Sequence, residues 1–381
     1  MKIAIVCYPT FWGSGVVATM LGTSLAQRGH EVHFVTYKQP VRLELLTKNI
    51  YFHEVDVEEY PLFHYQPYDL ALSSKLVNVV QKHDIELLHV HYAIPHAYAG
   101  YMAQQMLKEH DITLPMVTTL HGTDITLVGS NPIYKPSVTF SINKSDVVTS
   151  VSQSLKDDTI DIFDIKREID VVPNFIDMSS YKTEFTDCDR SLMAFPEERI
   201  ITHISNMRPV KRIMDVVRIF EKVSEQIPSI LIMVGDGPER TEAEKYTRRN
   251  GLSHKVKWVG NSTEIDRILC FSDLFLLPSE KESFGLAALE AMANRTPVIS
   301  SNTGGLPEVN ENGISGFTSD VGNIDEMAQK AVHILEEDDR LVAFKKSAFA
   351  KAEQFDINLV IPQYERLYEN AMQKSESETV A

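Results

Sequence analysis

Glu282 and Glu290 stand eight residues apart in the run Pro278-Ser279-Glu280-Lys281-Glu282-Ser283-Phe284-Gly285-Leu286-Ala287-Ala288-Leu289-Glu290. An apolar, strand-like stretch ends at Pro278, and a helix is expected to open near Ser283. The first N–H groups of a helix lack an intrahelical acceptor, so those of Phe284, Gly285 and Leu286 would face an anion such as a diphosphate. Glu282 then lies just outside the helix and Glu290 about two turns inside it. At about 1.5 Å per residue their separation is roughly 12 Å, the span from sugar to ribose in a nucleotide sugar. One carboxylate would take sugar hydroxyls and the other ribose hydroxyls. The competing reading is a helix cap and a surface glutamate.

A second group supplies positive charge. In Ser205-Asn206-Met207-Arg208-Pro209-Val210-Lys211-Arg212, the turn after a strand carries Arg208 and Lys211. Arginine grips phosphate bidentately and lysine acts as a mobile point charge. Val234-Gly235-Asp236-Gly237-Pro238-Glu239 is another strand-to-helix turn, where Asp236 is a candidate for framing the donor and a purely structural turn is the alternative. Near the start, Trp12-Gly13-Ser14-Gly15 follows the first strand and could close over phosphate or acceptor, although it falls short of a full dinucleotide fingerprint. His121-Gly122-Thr123-Asp124 ends a further strand. There His121 can hold a sugar hydroxyl or stabilise developing charge, with Asp124 expected to orient the ring. His89 and His91 share one face of a strand and read as buried, satisfied histidines rather than a metal pair. Ser14, Tyr92, Thr119, Asn206 and Arg208 form a polar set suited to a small dicarboxylic hydroxy acid. Neither a Walker loop nor a nucleophile elbow is present.

Residues at strand ends need sheets to carry them. Strand-like runs at 3–7, 31–37, 51–57, 87–92, 116–120 and 146–151 alternate with helical patterns such as 16–28, 70–83 and 97–110. A second series, at 200–205, 230–234, 256–259, 274–277 and 298–301, repeats the rhythm. Such β-then-α alternation predicts two α/β domains, each a doubly wound, Rossmann-like parallel sheet. The expected domains are 1–171 and 172–357, with the active site in a cleft between them. A last helix is expected at about 358–373, then a disordered polar tail at 374–381.

Composition narrows the function. With 381 residues and 43% hydrophobic content, two self-sufficient cores are expected without disulfides or structural metal. Cys7, Cys188 and Cys270 are the only cysteines and are far apart in sequence, so three reduced thiols are expected. The formal charge of −16 argues against nucleic acid or an anionic membrane as partner. No run approaches the roughly 20 apolar residues of a membrane span, and the first segment lacks the features of a secretory signal. A cytoplasmic enzyme is expected, with a homodimer as one allowed assembly.

The Glu282/Glu290 spacing, Arg208 with Lys211, Gly13-Ser14-Gly15 and His121 together resemble the retaining glycosyltransferases of family 4, across essentially the whole chain. The resemblance implies the GT-B fold, a C-terminal nucleotide-sugar domain, an N-terminal acceptor domain, and a final helix that packs back on the latter. It also implies donor contacts from Gly15, Arg208, Lys211, Asp236, Glu282, Ser283, Phe284, Gly285, Leu286 and Glu290. Catalysis would rest on His121, Glu282, Arg208 and Lys211, without cofactor or metal. Longer stretches, His89-Val90-His91-Tyr92-Ala93-Ile94-Pro95-His96, residues 118–126 and His203-Ile204-Ser205-Asn206, resemble members that move N-acetylglucosamine from UDP-GlcNAc to the hydroxyl of L-malate. That reaction opens bacillithiol biosynthesis. A family member with another acceptor, a UDP-sugar epimerase of the same fold and a non-enzymatic sensor are the alternatives.

Overall fold

The computed structural model describes residues 1–10, 13–57, 65–181 and 188–380, with 375–380 described by backbone alone. Trp12 lies outside the described residues. The chain divides into two compact units, residues 1–175 with 357–381, and residues 176–356.

The first unit is built on seven parallel strands: β1 (Lys2–Val6), β2 (Glu31–Thr36), β3 (Ile50–Glu54), β4 (Leu87–His91), β5 (Met116–Leu120), β6 (Val147–Ser150) and β7 (Ile169–Val171). Their order is β3-β2-β1-β4-β5-β6-β7. Every residue of β4, β5 and β6 is buried, as strands covered on both faces must be. The helices are α1 (Ser14–Gln27), α2 (Tyr68–His83), α3 (Tyr98–Lys108), α4 (Lys135–Lys144) and α5 (Gln153–Ile162).

The second unit carries β8 (Arg199–Ile204), β9 (Ser229–Val234), β10 (Val256–Gly260), β11 (Leu274–Leu277), β12 (Val298–Ser301) and β13 (Gly316–Ser319), in the order β10-β9-β8-β11-β12-β13. Its helices are α6 (Ile213–Ser224), α7 (Arg240–Arg249), α8 (Ile265–Cys270), α9 (Leu286–Ala293), α10 (Leu306–Val309), α11 (Ile324–Leu335) and α12 (Asp338–Ala352). The buried stripe of α6, Val216, Val217, Ile219, Phe220 and Val223, packs in one core with Leu231, Met233, Leu274 and Leu276.

Both sheets reverse strand order beside their first strand. β1 lies between β2 and β4, and β8 between β9 and β11. The loops that leave β1 and β4, and those that leave β8 and β11, therefore flank the two switch points where such sheets bind ligands.

Helix α13 (Ile357–Val380) belongs to the first unit. Tyr364 and Tyr368 are fully buried there, and the Tyr368 hydroxyl lies 2.8 Å from His89 Nδ1. Its backbone continues to Val380, whereas the composition predicts a disordered tail from 374. Lys374, Glu376 and Glu378 are sound helix formers, and no Gly or Pro stops the helix before them. The cysteines also depart from expectation. Cys188 and Cys270 form a disulfide with Cα atoms 6.0 Å apart, within the usual range. Their 82-residue separation conceals a proximity that only the fold creates. Cys7 is free and buried, and burial pushes its thiol up to about 12. No helix among the described residues is long and apolar enough to cross a membrane.

Candidate active site

In the second unit the two switch-point loops meet through charge. The Lys211 ammonium, on a short 3-10 turn after β8, pairs with Glu282 Oε1 after β11. The two side chains keep 20% and 13% of their surface, so the pair is partly shielded yet reachable from solvent. Ser279, itself buried, donates to the same Oε1 at 3.0 Å. Arg208 caps the 3-10 turn and is exposed, with no carboxylate partner among the described residues. Asn206, two residues before it, is exposed as well.

The loop after β8 is held from beneath by an imidazole. His203 Nδ1 lies 2.8 Å from the Leu276 carbonyl, which can only accept, so Nδ1 carries the proton. Nε2 then accepts from Ser205 Oγ at 2.7 Å, and Ser205 Oγ accepts the Met207 N–H at 3.2 Å. Burial pushes His203 down to about 4, so the ring is neutral at pH 7. Gly235, at φ 110°, lies so close that an added Cβ would stand 1.8 Å from the Ser205 carbonyl. This glycine thus packs the loop. Asp236 accepts the Gly237 N–H at 2.8 Å and lies 3.8 Å from Arg240.

The helix after β11 opens later than the sequence reading places it. Gly285 caps it in the left-handed region (φ 100°), and α9 begins at Leu286 rather than near Ser283. A left-handed residue cannot continue a right-handed helix, so Ser283 and Phe284 belong to the loop. Glu290 is consequently one turn into α9, and the 12 Å helical span does not apply. Phe284 is buried, edge-on to Phe355 with centroids 5.6 Å apart. Glu290 is 7% exposed. Sequence reasoning missed what sits behind Glu282. The Gly305 N–H donates to the Glu282 carbonyl at 2.9 Å, and a Cβ on Gly304 would stand 1.9 Å from that oxygen. The Gly304-Gly305 pair after β12 was the signal.

In the first unit the switch-point loops meet through neutral groups. Ser14 Oγ, at the start of α1, lies 2.6 Å from the Tyr92 hydroxyl after β4. Tyr92 adopts φ 88° and donates its N–H to the Thr119 carbonyl. Gly15 is required by packing, since a Cβ there would come within 2.5 Å of the Tyr8 carbonyl. His121 Nε2 lies 2.8 Å from His91 Nδ1, and Tyr92 packs beside the His121 ring at 5.2 Å. Burial holds His121 and His89 down at about 3 and pushes His91 well below its ordinary value.

Two sequence assignments change here. Asp124 does not orient the His121 ring. It is buried and accepts the N–H groups of Ala93 (2.8 Å), Gly122 (3.0 Å) and His121 (3.3 Å), fixing backbone instead. Burial raises its carboxyl to about 6 against the pull of those amides. Thr119 does not face a ligand, because its fully buried hydroxyl lies 2.8 Å from His89 Nε2 and 2.7 Å from Thr149 Oγ1. His89 is satisfied at both nitrogens, while His91 Nε2 has no hydrogen bond among the described residues.

The chain and its fold resemble known proteins. The family model for glycosyl transferases group 1 matches residues 186–351, and that for glycosyltransferase family 4 matches residues 12–180. N-acetyl-alpha-D-glucosaminyl L-malate synthase of Bacillus anthracis is 44% identical over 370 residues, 97% of this chain and 96% of that one. Among solved structures, Anabaena HepE in complex with UDP and glucose superposes with a TM-score of 0.82 at 20% identity, covering 97% of this chain and 99% of that one. Sucrose-phosphate synthase from Thermosynechococcus elongatus gives 0.79 at 19% identity, covering 98% and 100%. The structural likenesses carry the GT-B fold, in which each half is a parallel α/β sheet. With family models on both units and a relative aligned over nearly its whole length, the chain belongs to the family 4 glycosyltransferases.

Proposed function

We propose that the protein transfers N-acetylglucosamine from UDP-GlcNAc to the hydroxyl of L-malate, giving GlcNAc-α-L-malate and UDP with the anomeric configuration retained, the first step of bacillithiol biosynthesis. The observation that carries a nucleotide-sugar reading is the Lys211–Glu282 contact between the loops leaving β8 and β11. Lys211 has three N–H donors and gives one to Glu282, which leaves two for diphosphate oxygens. Both Glu282 contacts fall on Oε1, so Oε2 is the acceptor for sugar hydroxyls. Arg208 adds an exposed guanidinium suited to bidentate phosphate contact. Glu290 takes the ribose hydroxyls, and the first N–H groups of α9 with Gly285 and Phe284 face the phosphates. The choice of acceptor is supported by the 44% identical Bacillus anthracis relative.

On this reading UDP departs with its charge spread over Arg208 and Lys211, which stabilise the leaving group electrostatically. The acceptor attacks the face that the phosphate leaves, and a phosphate oxygen takes its proton. His121, neutral at pH 7, hydrogen-bonds the sugar rather than acting as a cation. Ser14, Tyr92 and Asn206 hold the acceptor. The reaction runs in the cytoplasm and needs no metal.

The test is UDP release from UDP-GlcNAc with and without L-malate, with product configuration read by NMR. Release that depends on L-malate and an α product are expected. Succinate, lacking the hydroxyl, should compete without reacting. Formation of the 2-epimer without acceptor would replace this reading with an epimerase.

A further inference from the structure

Three imidazoles converge at the edge of the first sheet, away from that sheet's switch point. His33 lies in β2, His53 in the edge strand β3, and His83 ends α2. One ring nitrogen from each lies within 4.8 Å of the other two. His33 Nδ1 is 2.9 Å from His53 Nε2, and the His83 ring centroid is 4.8 Å from that of His33 and 5.0 Å from that of His53. His33 is fully buried, whereas His53 and His83 are half-buried, so the group opens to solvent on one side.

The tautomer of His33 follows from its outer partner. Glu31 Oε1 lies 2.9 Å from His33 Nε2 and, as a carboxylate, only accepts. Nε2 therefore carries the proton, and the Nδ1 lone pair faces His53. A carboxylate holding the far nitrogen of an imidazole is the arrangement that orients metal-ligating histidines. A hydrogen-bond chain from Glu31 through His33 to His53 would need only two histidines. His83 makes no ring hydrogen bond among the described residues, yet it completes the triangle.

We propose that His33 Nδ1, His53 Nε2 and a ring nitrogen of His83 bind one divalent transition metal of the Zn²⁺ class, with Glu31 orienting His33 from behind. Two nitrogens at about 2.0–2.1 Å from a tetrahedral ion stand about 3.3–3.4 Å apart, so the His33–His53 pair opens by roughly 0.4 Å and His83 swings inward. Water fills the fourth position from the open side. Imidazole and a borderline metal suit each other, and an all-nitrogen set excludes Ca²⁺ and Mg²⁺, which take oxygen. Lys2, Lys75 and Lys82 lie near enough to oppose a cation, which limits affinity. The metal would clip the edge strand to β2 and to the end of α2, and it would take no part in glycosyl transfer.

The full-length, metal-stripped protein is titrated with Zn²⁺ by calorimetry and with Co²⁺ by visible absorption. One equivalent of each is expected, with Co²⁺ showing the intense bands of a tetrahedral site. H83Q and H53Q, at half-buried positions, should each raise Kd at least tenfold, and E31Q about tenfold. H254Q, on an exposed residue elsewhere, and H121Q, in the other histidine cluster, should leave Kd unchanged. Far-UV circular dichroism checks that H83Q is folded. Absence of saturable one-to-one binding, an unchanged Kd in both H83Q and H53Q, or loss of binding in H121Q would overturn the proposal.

Discussion

The two switch points of this molecule are built alike and charged differently. In the first sheet the loops after β1 and β4 meet as Ser14 and Tyr92, two neutral hydroxyls 2.6 Å apart, beside the histidines His91 and His121. In the second sheet the loops after β8 and β11 meet as Lys211 and Glu282, an ion pair with Arg208 nearby. The histidine under the second site, His203, is neutral as well, so the positive charge there comes from lysine and arginine side chains such as Lys211 and Arg208. The lesson concerns division of labour. On the proposed reading, a chain of net charge −16 would hold an anionic leaving group where cations are placed locally, as Lys211 and Arg208 are beside the second sheet. The other sheet offers hydrogen bonds without charge, which suits hydroxyls.

The comparison breaks most readily at Lys211. K211M removes the mobile cation and leaves Glu282 unpaired, so turnover should fall by about 10²–10³, the cost of losing one transition-state contact of this kind. A loss below tenfold in steady-state kinetics would show that Arg208 alone neutralises the diphosphate. Next in size are the two carboxylates. E290A should weaken donor binding by about 1.5–3 kcal/mol, the worth of a hydrogen bond to a charged group, while E282A acts mainly on turnover. Calorimetry with UDP-GlcNAc separates them, and unchanged donor affinity in E290A would remove that residue from the ribose.

Asp124 sharpens the first-sheet side. Because it accepts three backbone N–H groups, D124N puts an amide donor against those donors and should cost about 1–3 kcal/mol of stability. Urea unfolding measures this, and a native-like midpoint would show that the backbone contacts of Asp124 add little to stability. The smallest effect is the pH dependence of stability. His89, His96, His121 and His203 are held by burial at about 3, 4, 3 and 4, below the ordinary 6.5. The unfolded chain therefore binds more protons between about pH 6.5 and 3, and stability falls as pH drops through that window. Asp124, raised to about 6, runs the other way between about 3.8 and 6. The histidines outnumber it, so the Tm should decline from pH 6.5 to pH 4, and H203Q should flatten that decline.

Much of the fold was legible because buried parallel strands announce themselves as apolar runs, as in Ile3–Val6 of β1, Ile230–Val234 of β9 and Leu274–Leu277 of β11. β7 and β13 escaped notice. Ile169-Asp170-Val171 is three residues with a charge in the middle, and Gly316-Phe317-Thr318-Ser319 has a single large apolar side chain. Both are sheet-edge strands, whose pairing is set by the neighbour more than by their own composition. At the site, residue types at strand ends pointed to Lys211, Arg208 and Glu282. What the spacing hid was tertiary. The left-handed Gly285 delays α9, Asp124 turns to the backbone, and Thr119 serves His89. Each of these depends on a neighbour distant in sequence or on a backbone angle that a residue list does not display.

The central claim, that the donor's anion is gripped by the second sheet and not by the first, is tested most directly by UDP affinity measured side by side in wild type, K211M and H121N. The account predicts a loss of about 1.5–3 kcal/mol in K211M, the worth of a charged hydrogen bond, and a change within about twofold in H121N. Equal losses in both variants, or a loss confined to H121N, would contradict it.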